Sequence, residues 1–174
     1  KEMVGGGATE VRVLDASVSF EGDLRPGHFA GVATIVLKLF NVLNPTFAVF
    51  GLKDLQQCAV VSRMVRDLFL TVRLDFVETV REPSGLALSS RNAYLSPAER
   101  VRAAHLFSVL SSIAEECRQS GVFDPSVRER ALASLVLAGL HPDYLEAVDP
   151  ETMSPVERVG DRTRLVAAVR VGAV

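Results

Sequence analysis

The sequence predicts an α/β fold, namely the later half of a doubly wound parallel sheet followed by a small α+β domain. Two observations support this prediction. Over the first 80 residues, helix-like and strand-like apolar patterns alternate, which is typical of βαβ units. Beyond them the chain changes to a polar loop, two well-capped helices and two strands. We therefore expect two domains, residues 1–80 and 81–174, with the boundary near Val80.

The elements of the first domain follow from its apolar periodicity. Residues 11–14 alternate apolar and polar side chains, which predicts a short strand. A helix then begins at Phe29 and ends at Asn44, because the residue before Pro45 is pushed out of the α region. Residues 46–50 are apolar on both faces and predict a buried parallel strand. The helix is defined by six apolar residues at helical spacing: Phe29, Val32, Ala33, Val36, Phe40 and Leu43.

A second helix and strand complete the first domain. The helix is predicted from Lys53 to Leu68, and residues 71–76 alternate as expected for a strand. The order helix, strand, helix, strand indicates a parallel sheet. The inner face of the second helix is predicted to consist of Val61, Met64, Val65 and Leu68.

The second domain carries strong signals for helix boundaries. Ser96 is a suitable N-cap, Pro97 suits the first helical position, and Glu99 completes a capping box. This helix is predicted to end before Gly121. The remaining signals are a turn at residues 82–85, a helix opened by Asp124-Pro125 and closed by Gly139, and strands at residues 144–148 and 164–171.

Composition argues against several functional classes. The net charge of −2 provides no basic surface for nucleic acid or for a membrane. The longest apolar stretch, residues 31–52, is too interrupted to span a bilayer. Cys58 and Cys117 are isolated, as expected for reduced thiols in the cytoplasm, and the three histidines are too scattered for a metal site. The chain opens on Lys1 instead of Met, so we expect further sequence upstream.

The first candidate site is the segment 50–57, FGLKDLQQ, where a strand gives way to a helix. Ligands of open α/β sheets bind at such strand ends. Gly51 allows close approach to the backbone, Lys53 adds a positive charge near the helix N-terminus, and Gln57 lies one turn further on. Asp54 either caps the helix or accepts hydrogen bonds from ribose hydroxyls. The competing interpretation is an ordinary αβ loop with a solvated lysine.

The second candidate site is the segment 85–92, GLALSSRN. Ser89, Ser90 and Arg91 follow a glycine turn, and two hydroxyls with a guanidinium are suited to wrapping a phosphate. The competing interpretation is a polar loop that caps a strand. Taken alone, neither segment distinguishes binding from structure.

Together with residues 21–32, which contain the sequence RPGHFAGV, these two segments resemble the pantothenate synthetase family. The three stretches occur in the order and spacing of that family, and weaker similarity continues through Tyr144-Leu145-Glu146 to the end. The resemblance therefore covers nearly the whole chain. It implies the nucleotidylyl-transferase superfamily, a Rossmann-like domain and a smaller C-terminal lid.

The resemblance also implies an activity: a ligase forms a carbon–nitrogen bond by adenylating pantoate with ATP and Mg²⁺, after which β-alanine displaces AMP. It further implies a cytoplasmic homodimer in pantothenate and coenzyme A biosynthesis. ATP would be bound by residues 51–54 and by the loop at 88–91, and Gln57 would hold pantoate. The residues that would contact ATP are Gly51, Leu52, Lys53, Asp54, Val80, Leu88, Ser89, Ser90 and Arg91, of which Lys53, Ser89, Ser90 and Arg91 would be catalytic.

The chain departs from the family pattern at several points. Leu52 and Leu55 flank Lys53-Asp54 where the family has glutamate and an aromatic residue, and Ser84 replaces an aspartate. The family's His-x-Gly-His motif is not found within these 174 residues, and the chain stops at Val174, so we expect an incomplete polypeptide that is inactive alone. Two alternatives remain: a related nucleotidylyl transferase acting on another substrate, or a non-catalytic nucleotide-binding remnant.

Overall fold

The computed structural model of this chain describes residues 8–172 and divides into two compact units. The first unit runs to Glu78 and includes the short segment Pro150–Ser154. The second comprises Thr79–Asp149 and continues from Pro155. In residues 8–172 no helix is both long enough and apolar enough to cross a membrane.

The first unit is built around a parallel βαβ arrangement. Strand β1 (Phe47–Gly51) pairs in parallel with β2 (Arg73–Val77), so that Phe47 lies opposite Arg73 and Gly51 lies opposite Val77. The intervening helix α3 (Leu55–Asp67) packs on β1, and α2 (His28–Leu43) packs on α3. The α/β class predicted from the alternating pattern is therefore confirmed. In chain order the elements are α1 (Glu21–Leu24), α2 (His28–Leu43), β1 (Phe47–Gly51), a 3₁₀ turn (Leu52–Asp54), α3 (Leu55–Asp67) and β2 (Arg73–Val77).

Three sequence-based expectations for this unit are wrong in detail. Residues 11–14 form no strand, because they pair with no other strand in the described part of the chain. Instead, the Val11 N–H donates to Thr34 Oγ1 of α2 at 2.9 Å. Strand β1 is not buried on both faces, since Phe47 and Val49 are 56% and 53% exposed on the face away from α3. Leu68, expected on the inner face of α3, lies past the end of that helix and is exposed.

The second unit combines two helices with an antiparallel sheet. Helix α4 (Pro97–Ser120) begins with the predicted capping box, in which Glu99 Oε2 accepts from the Ser96 N–H at 2.8 Å. Helix α5 (Pro125–Leu137) is capped by Asp124, whose carboxylate accepts from two backbone N–H groups of the first turn. Strands β3 (His141–Val148) and β4 (Arg164–Arg170) pair antiparallel. These elements confirm the predicted helix and strand order.

Each unit has its own apolar core. In the second unit α4, α5 and the β3–β4 sheet enclose buried side chains that include Cys117, Leu135, Leu140 and Leu145. In the first unit the buried residues come mainly from α3. They include Phe29, Ala33, Cys58, Ala59, Val60, Val61 and Met64.

Candidate functional site

The first candidate cluster begins where β1 ends, at Gly51. Its φ of −88° and ψ of 129° are extended values that any residue can adopt. A Cβ added to Gly51 would meet no atom within 4 Å. Neither backbone conformation nor packing in the described chain therefore requires glycine here. The bare backbone leaves room for a ligand to approach.

The 3₁₀ turn presents Lys53 and Asp54 next to each other. Lys53 Nζ lies 3.5 Å from Asp54 Oδ1, and the two side chains are 39% and 64% exposed. An ion pair this accessible contributes little to stability, so both groups can rearrange around a ligand. Asp54 makes no side-chain hydrogen bond to α3, and the capping role considered for it is therefore wrong. Its φ of −104° and ψ of 60° depart from the extended geometry typical of an N-cap.

The N-terminus of α3 lies one residue further along. Because Asp54 does not cap the helix, the first N–H groups of α3 have no side-chain acceptor from that residue. The positive end of the helix dipole is thus close in sequence to the Lys53 ammonium group. This combination favours a negatively charged ligand, and a phosphate above all.

The adjacent glutamines Gln56 and Gln57 have different environments. Gln56 is 6% exposed, and its Nε2 donates to the Ala16 carbonyl at 3.1 Å and the Ser19 carbonyl at 3.0 Å. Its Oε1 accepts from the Glu21 N–H at 3.2 Å. Gln57 is half-buried and makes no side-chain hydrogen bond to another described residue. Gln56 therefore ties the 16–21 segment to α3, whereas the Gln57 amide is not used in this way.

Cys58 joins the end of β1 to α3. Its Sγ donates to the Gly51 carbonyl at 3.4 Å, and burial, followed by the nearby charge of Asp54, raises the pKa of the thiol to about 11. The thiol is therefore protonated and weakly nucleophilic at neutral pH. Cys58 is 3% exposed and belongs to the core of the first unit. Because the unfolded chain loses this proton at a lower pH than the folded chain, the free energy of unfolding falls as the pH rises from about 9 towards the folded pKa of about 11.

The second candidate cluster is supported by a tight hairpin over residues 80–88. The Leu88 N–H donates to the Val80 carbonyl at 2.9 Å, and the Gly85 N–H donates to the Glu82 carbonyl at 2.8 Å. Gly85 has φ +90°, and a Cβ there would lie 2.8 Å from Phe107 Cδ1 of α4. Glycine is therefore required twice at this position, by its backbone conformation and by packing.

The predicted phosphate loop follows the hairpin directly. Ser89 Oγ accepts from the Arg91 N–H at 3.2 Å and starts a 3₁₀ helix, Ser90–Tyr94. The side chains of Ser90 and Arg91 are exposed and make no hydrogen bond or ion pair with any other residue in the described range. The loop therefore holds its backbone in place while leaving a hydroxyl and a guanidinium accessible.

Asn92 and Glu82 anchor this loop, and sequence reasoning did not assign roles to them. Asn92 Nδ2 donates to the Ala87 carbonyl at 3.0 Å and reaches Glu82 Oε1 at 3.5 Å. Glu82 Oε1 also accepts from the Arg100 guanidinium at 2.5 Å. These contacts join the hairpin, the loop and the start of α4. An asparagine at the end of a serine-rich run was the only local signal for such an anchor.

Two apolar residues that the family resemblance places in the ATP site are accessible. Val80 and Leu88 lie opposite each other across the hairpin and are 64% and 52% exposed. Leu52 and Leu55, which depart from the family pattern, are half-buried beside Lys53 and Asp54.

The two candidate clusters belong to different units. The first unit contains Gly51, Lys53, Asp54 and Gln57, whereas the hairpin and its loop belong to the second.

The donor chemistry of the two clusters is compatible with a magnesium ion bound to phosphate. Among the described residues, no three His, Cys, Asp or Glu side chains converge as a metal site. The clusters do offer hard oxygen donors in the Asp54 carboxylate and the two serine hydroxyls. Mg²⁺ is commonly held by one carboxylate together with substrate phosphates and water.

Comparison with known proteins gives consistent matches. A family model described as pantoate-beta-alanine ligase matches residues 1–174. The pantothenate synthetase of Anaeromyxobacter dehalogenans is 48% identical over 167 residues, which are 96% of this chain and 58% of that protein. The pantothenate synthetase of Thermosipho africanus is 44% identical over 169 residues, which are 95% of this chain and 59% of that protein.

Solved structures match over the same extent. A pantothenate synthetase from Thermus thermophilus superimposes with a TM-score of 0.86 at 43% identity and covers 98% of this chain and 62% of its own. A pantoate-beta-alanine ligase from Francisella tularensis, complexed with beta-gamma ATP and beta-alanine, gives a TM-score of 0.74 at 28% identity. That match covers 97% of this chain and 56% of its own. This chain thus spans about three-fifths of the length of the relatives that it matches.

Proposed function

Because this chain belongs to the pantoate–β-alanine ligase family, we propose that the protein containing these residues joins pantoate to β-alanine at the expense of ATP. The product is pantothenate, and a pantoyl-adenylate is the intermediate. One observation carries the proposal. The side chains that match the family's polar positions, above all Lys53, Gln57 and Arg91, are left accessible by a fold that does not need them internally.

In the first step, a carboxylate oxygen of pantoate attacks the α-phosphorus of ATP and forms the acyl–phosphate bond. The bond to the bridging oxygen breaks, and pyrophosphate leaves with the electron pair. Negative charge grows on the α-phosphate and on the leaving group. Cations held at those oxygens stabilise the transition state more than the ground state.

The first cluster supplies part of that stabilisation. Lys53 and the uncapped N-terminus of α3 bind phosphate oxygens, and the gap at Gly51 admits the nucleotide next to the backbone. Asp54, which is not needed as a helix cap, accepts hydrogen bonds from the ribose hydroxyls. Gln57 binds pantoate through its amide, which has no partner in the described chain.

The second cluster binds the other parts of the nucleotide. Arg91 and the hydroxyls of Ser89 and Ser90 bind the triphosphate, over which Leu88 also closes, and the exposed Val80 packs against adenine. Arginine suits this role because its planar guanidinium binds phosphate through two parallel hydrogen bonds. When bound as its ATP complex, Mg²⁺ would neutralise phosphate charge, and the hydroxyls of Ser89 and Ser90 would be suitable oxygen donors to it.

In the second step, the amine of β-alanine attacks the carbonyl carbon of the pantoyl-adenylate. The amide bond forms, the amine loses a proton, and AMP leaves with the electron pair of the acyl–oxygen bond. Water must be kept from the activated acyl group until the amine arrives. A second unit that acts as a lid and carries the Ser89–Arg91 loop would serve that purpose.

We also propose that the protein acts as a homodimer in the cytoplasm. The exposed apolar side chains of β1, Phe47 and Val49, support a partner surface, and the two free buried cysteines suit a reducing compartment. Light scattering coupled to gel filtration would give twice the chain mass for a dimer and the chain mass for a monomer. Cell fractionation would test the location separately.

The proposal is tested by identifying the products of the gene product that contains these residues. With ATP and pantoate alone, mass spectrometry should detect pantoyl-adenylate, and addition of β-alanine should convert it to pantothenate and AMP. An adenylate formed only with a different acid would favour the related nucleotidylyl transferase. ATP binding without an adenylate from any acid would favour the non-catalytic alternative, for which the departures at Leu52 and Leu55 are the relevant feature.

A further inference from the structure

The second unit contains a cavity that the proposed reaction does not use. It has a volume of about 530 Å³ and lies between α4 and the segment that leads into β4. Pockets for small organic ligands commonly have about 300–1,000 Å³ and mainly apolar walls. None of the proposed ATP or pantoate residues lines this cavity. Its apolar wall is formed by Phe107, Leu110, Ala114, Val159 and Leu165.

Positive charge predominates at the rim of the cavity. Three arginines line it together with one acidic residue, Asp161. Arg118 is paired with Glu115 of the same helix. Arg164 donates through one nitrogen to three backbone carbonyls just before it in sequence, at 3.0 to 3.1 Å. The third arginine, Arg81, has no carboxylate partner within the described part of the chain.

Arg81 is held in place by contacts that leave its charge unbalanced. Its guanidinium carbon lies 3.9 Å from the centroid of the Phe107 ring, and its Nη1 donates to the Gly85 carbonyl at 3.1 Å. Burial lowers the pKa of the guanidinium, which still carries its positive charge at neutral pH. A cation that is partly removed from water and lacks a counter-ion binds an anion more strongly than a fully solvated cation does. The aromatic contact offsets only part of that cost.

We propose that this cavity is a binding site for a small organic monocarboxylate with an apolar chain or ring. The carboxylate pairs with Arg81, and the apolar body lies along Phe107, Leu110 and Ala114. A single negative charge suits the site because, once Arg118 is balanced by Glu115, the remaining charges that line it are those of Arg81, Arg164 and Asp161, which sum to +1. Asp161 at the rim disfavours ligands of higher charge, such as phosphates.

Hexanoate is a suitable probe, with hexan-1-ol as the neutral analogue of the same length and acetate as the anion without an apolar chain. Binding to the full chain is measured by ligand-observed NMR titration. Hexanoate should bind saturably, and the other two at least tenfold more weakly. Arg81→Gln should weaken hexanoate binding at least tenfold, whereas Arg130→Gln, an exposed position on α5, should leave it unchanged.

A second variant is needed because Arg81→Gln would also lose binding if it damaged the hairpin that carries Arg81. Ala114 is on the exposed side of α4, and Ala114→Leu narrows the cavity where the apolar body of the ligand is proposed to lie, while it keeps a strong helix former in α4 and leaves Arg81 intact. It should weaken hexanoate binding at least tenfold while the circular dichroism spectrum and melting temperature stay at wild-type values. Equal affinity for hexanoate and hexan-1-ol, no saturable hexanoate binding, or wild-type affinity in both variants would overturn the proposal.

Discussion

Gly51 closes β1 in the first unit with φ −88°, whereas Gly85 lies at a hairpin turn in the second unit with φ +90°. A Cβ at Gly51 would meet no atom within 4 Å, but one at Gly85 would lie 2.8 Å from Phe107. Both glycines belong to stretches that match the same family. The fold accounts for Gly85 completely and gives no reason for Gly51, so Gly51 is the one that points to a ligand.

The segments that follow the two glycines also differ in how many of their side chains make contacts inside the protein. After Gly51, Lys53 and Asp54 make only an exposed ion pair with each other, and Gln57 has no partner in the described range. After Gly85, Asn92 and Glu82 fix a loop from which Ser90 and Arg91 extend. Each segment therefore contains side chains with few internal contacts beside residues that shape the backbone, and the first group supplies the ligand-binding residues that we propose.

The largest effect is expected at Lys53. Lys53→Met should reduce pantoate adenylation by about 10²–10³-fold, because it removes a cation from the developing phosphate charge. The melting temperature should remain unchanged, since the ion pair with Asp54 is exposed. Lys38→Met in α2 is the matched control and should keep full activity. A Lys53 variant with wild-type activity would remove this lysine from the site.

The next effect is on stability, at Gly85. Gly85→Ala should lower the free energy of unfolding by ~2–4 kcal/mol, because it adds backbone strain at φ +90° and overlap with Phe107. Urea unfolding followed by circular dichroism measures this change. A variant as stable as the wild type would show that neither backbone conformation nor packing requires glycine at position 85. Gly85 would then not differ from Gly51 in this respect.

Gly51→Ala should show the opposite behaviour. Its free energy of unfolding should change by less than about 1 kcal/mol, since alanine can adopt the same backbone conformation in open space. The KM for ATP should rise about tenfold, equivalent to ~1.4 kcal/mol of lost binding. Unchanged KM together with lost stability would reverse the roles given to the two glycines.

The smallest effect is expected at Asn92. Asn92→Ala removes the donor to the Ala87 carbonyl and should lower the free energy of unfolding by about 1 kcal/mol. Because the loop backbone loosens, the KM for ATP should rise severalfold more than kcat falls. Gln119→Ala provides the control, because it removes an exposed amide on α4 that bonds only to Glu115 among residues 8–172. Equal effects of the two variants on KM would show that Asn92 does not position the loop.

Local signals in the sequence were sufficient for much of the fold. The capping box at Ser96 and Glu99 and the Asp124 cap each depend on a few neighbouring residues, and the structure has them where predicted. The accessible state of Gln57 and Arg91 also agrees with their predicted roles. Those roles themselves rest on resemblance to the family and stay predictions, as does the expectation that the chain is inactive alone.

The errors concern features that depend on residues distant in sequence. The alternation at residues 11–14 has no partner strand in the described chain, so it forms no sheet. Periodicity could not show that Gln56 is buried and hydrogen-bonded whereas Gln57 is not, because the carbonyls that accept from Gln56 lie about 40 residues earlier in the sequence. In the same way, no pattern indicated that Arg81 would stack on Phe107 beside a cavity. Each of these depends on tertiary packing, which local propensity does not encode.

Pantoate-dependent exchange of pyrophosphate into ATP, measured without β-alanine on the gene product that contains these residues, tests the proposed adenylation most directly. We expect exchange that requires pantoate, is lost in Lys53→Met, and is retained at saturating ATP in Gly51→Ala. Folded protein that binds ATP but shows no pantoate-dependent exchange would contradict the proposed adenylation.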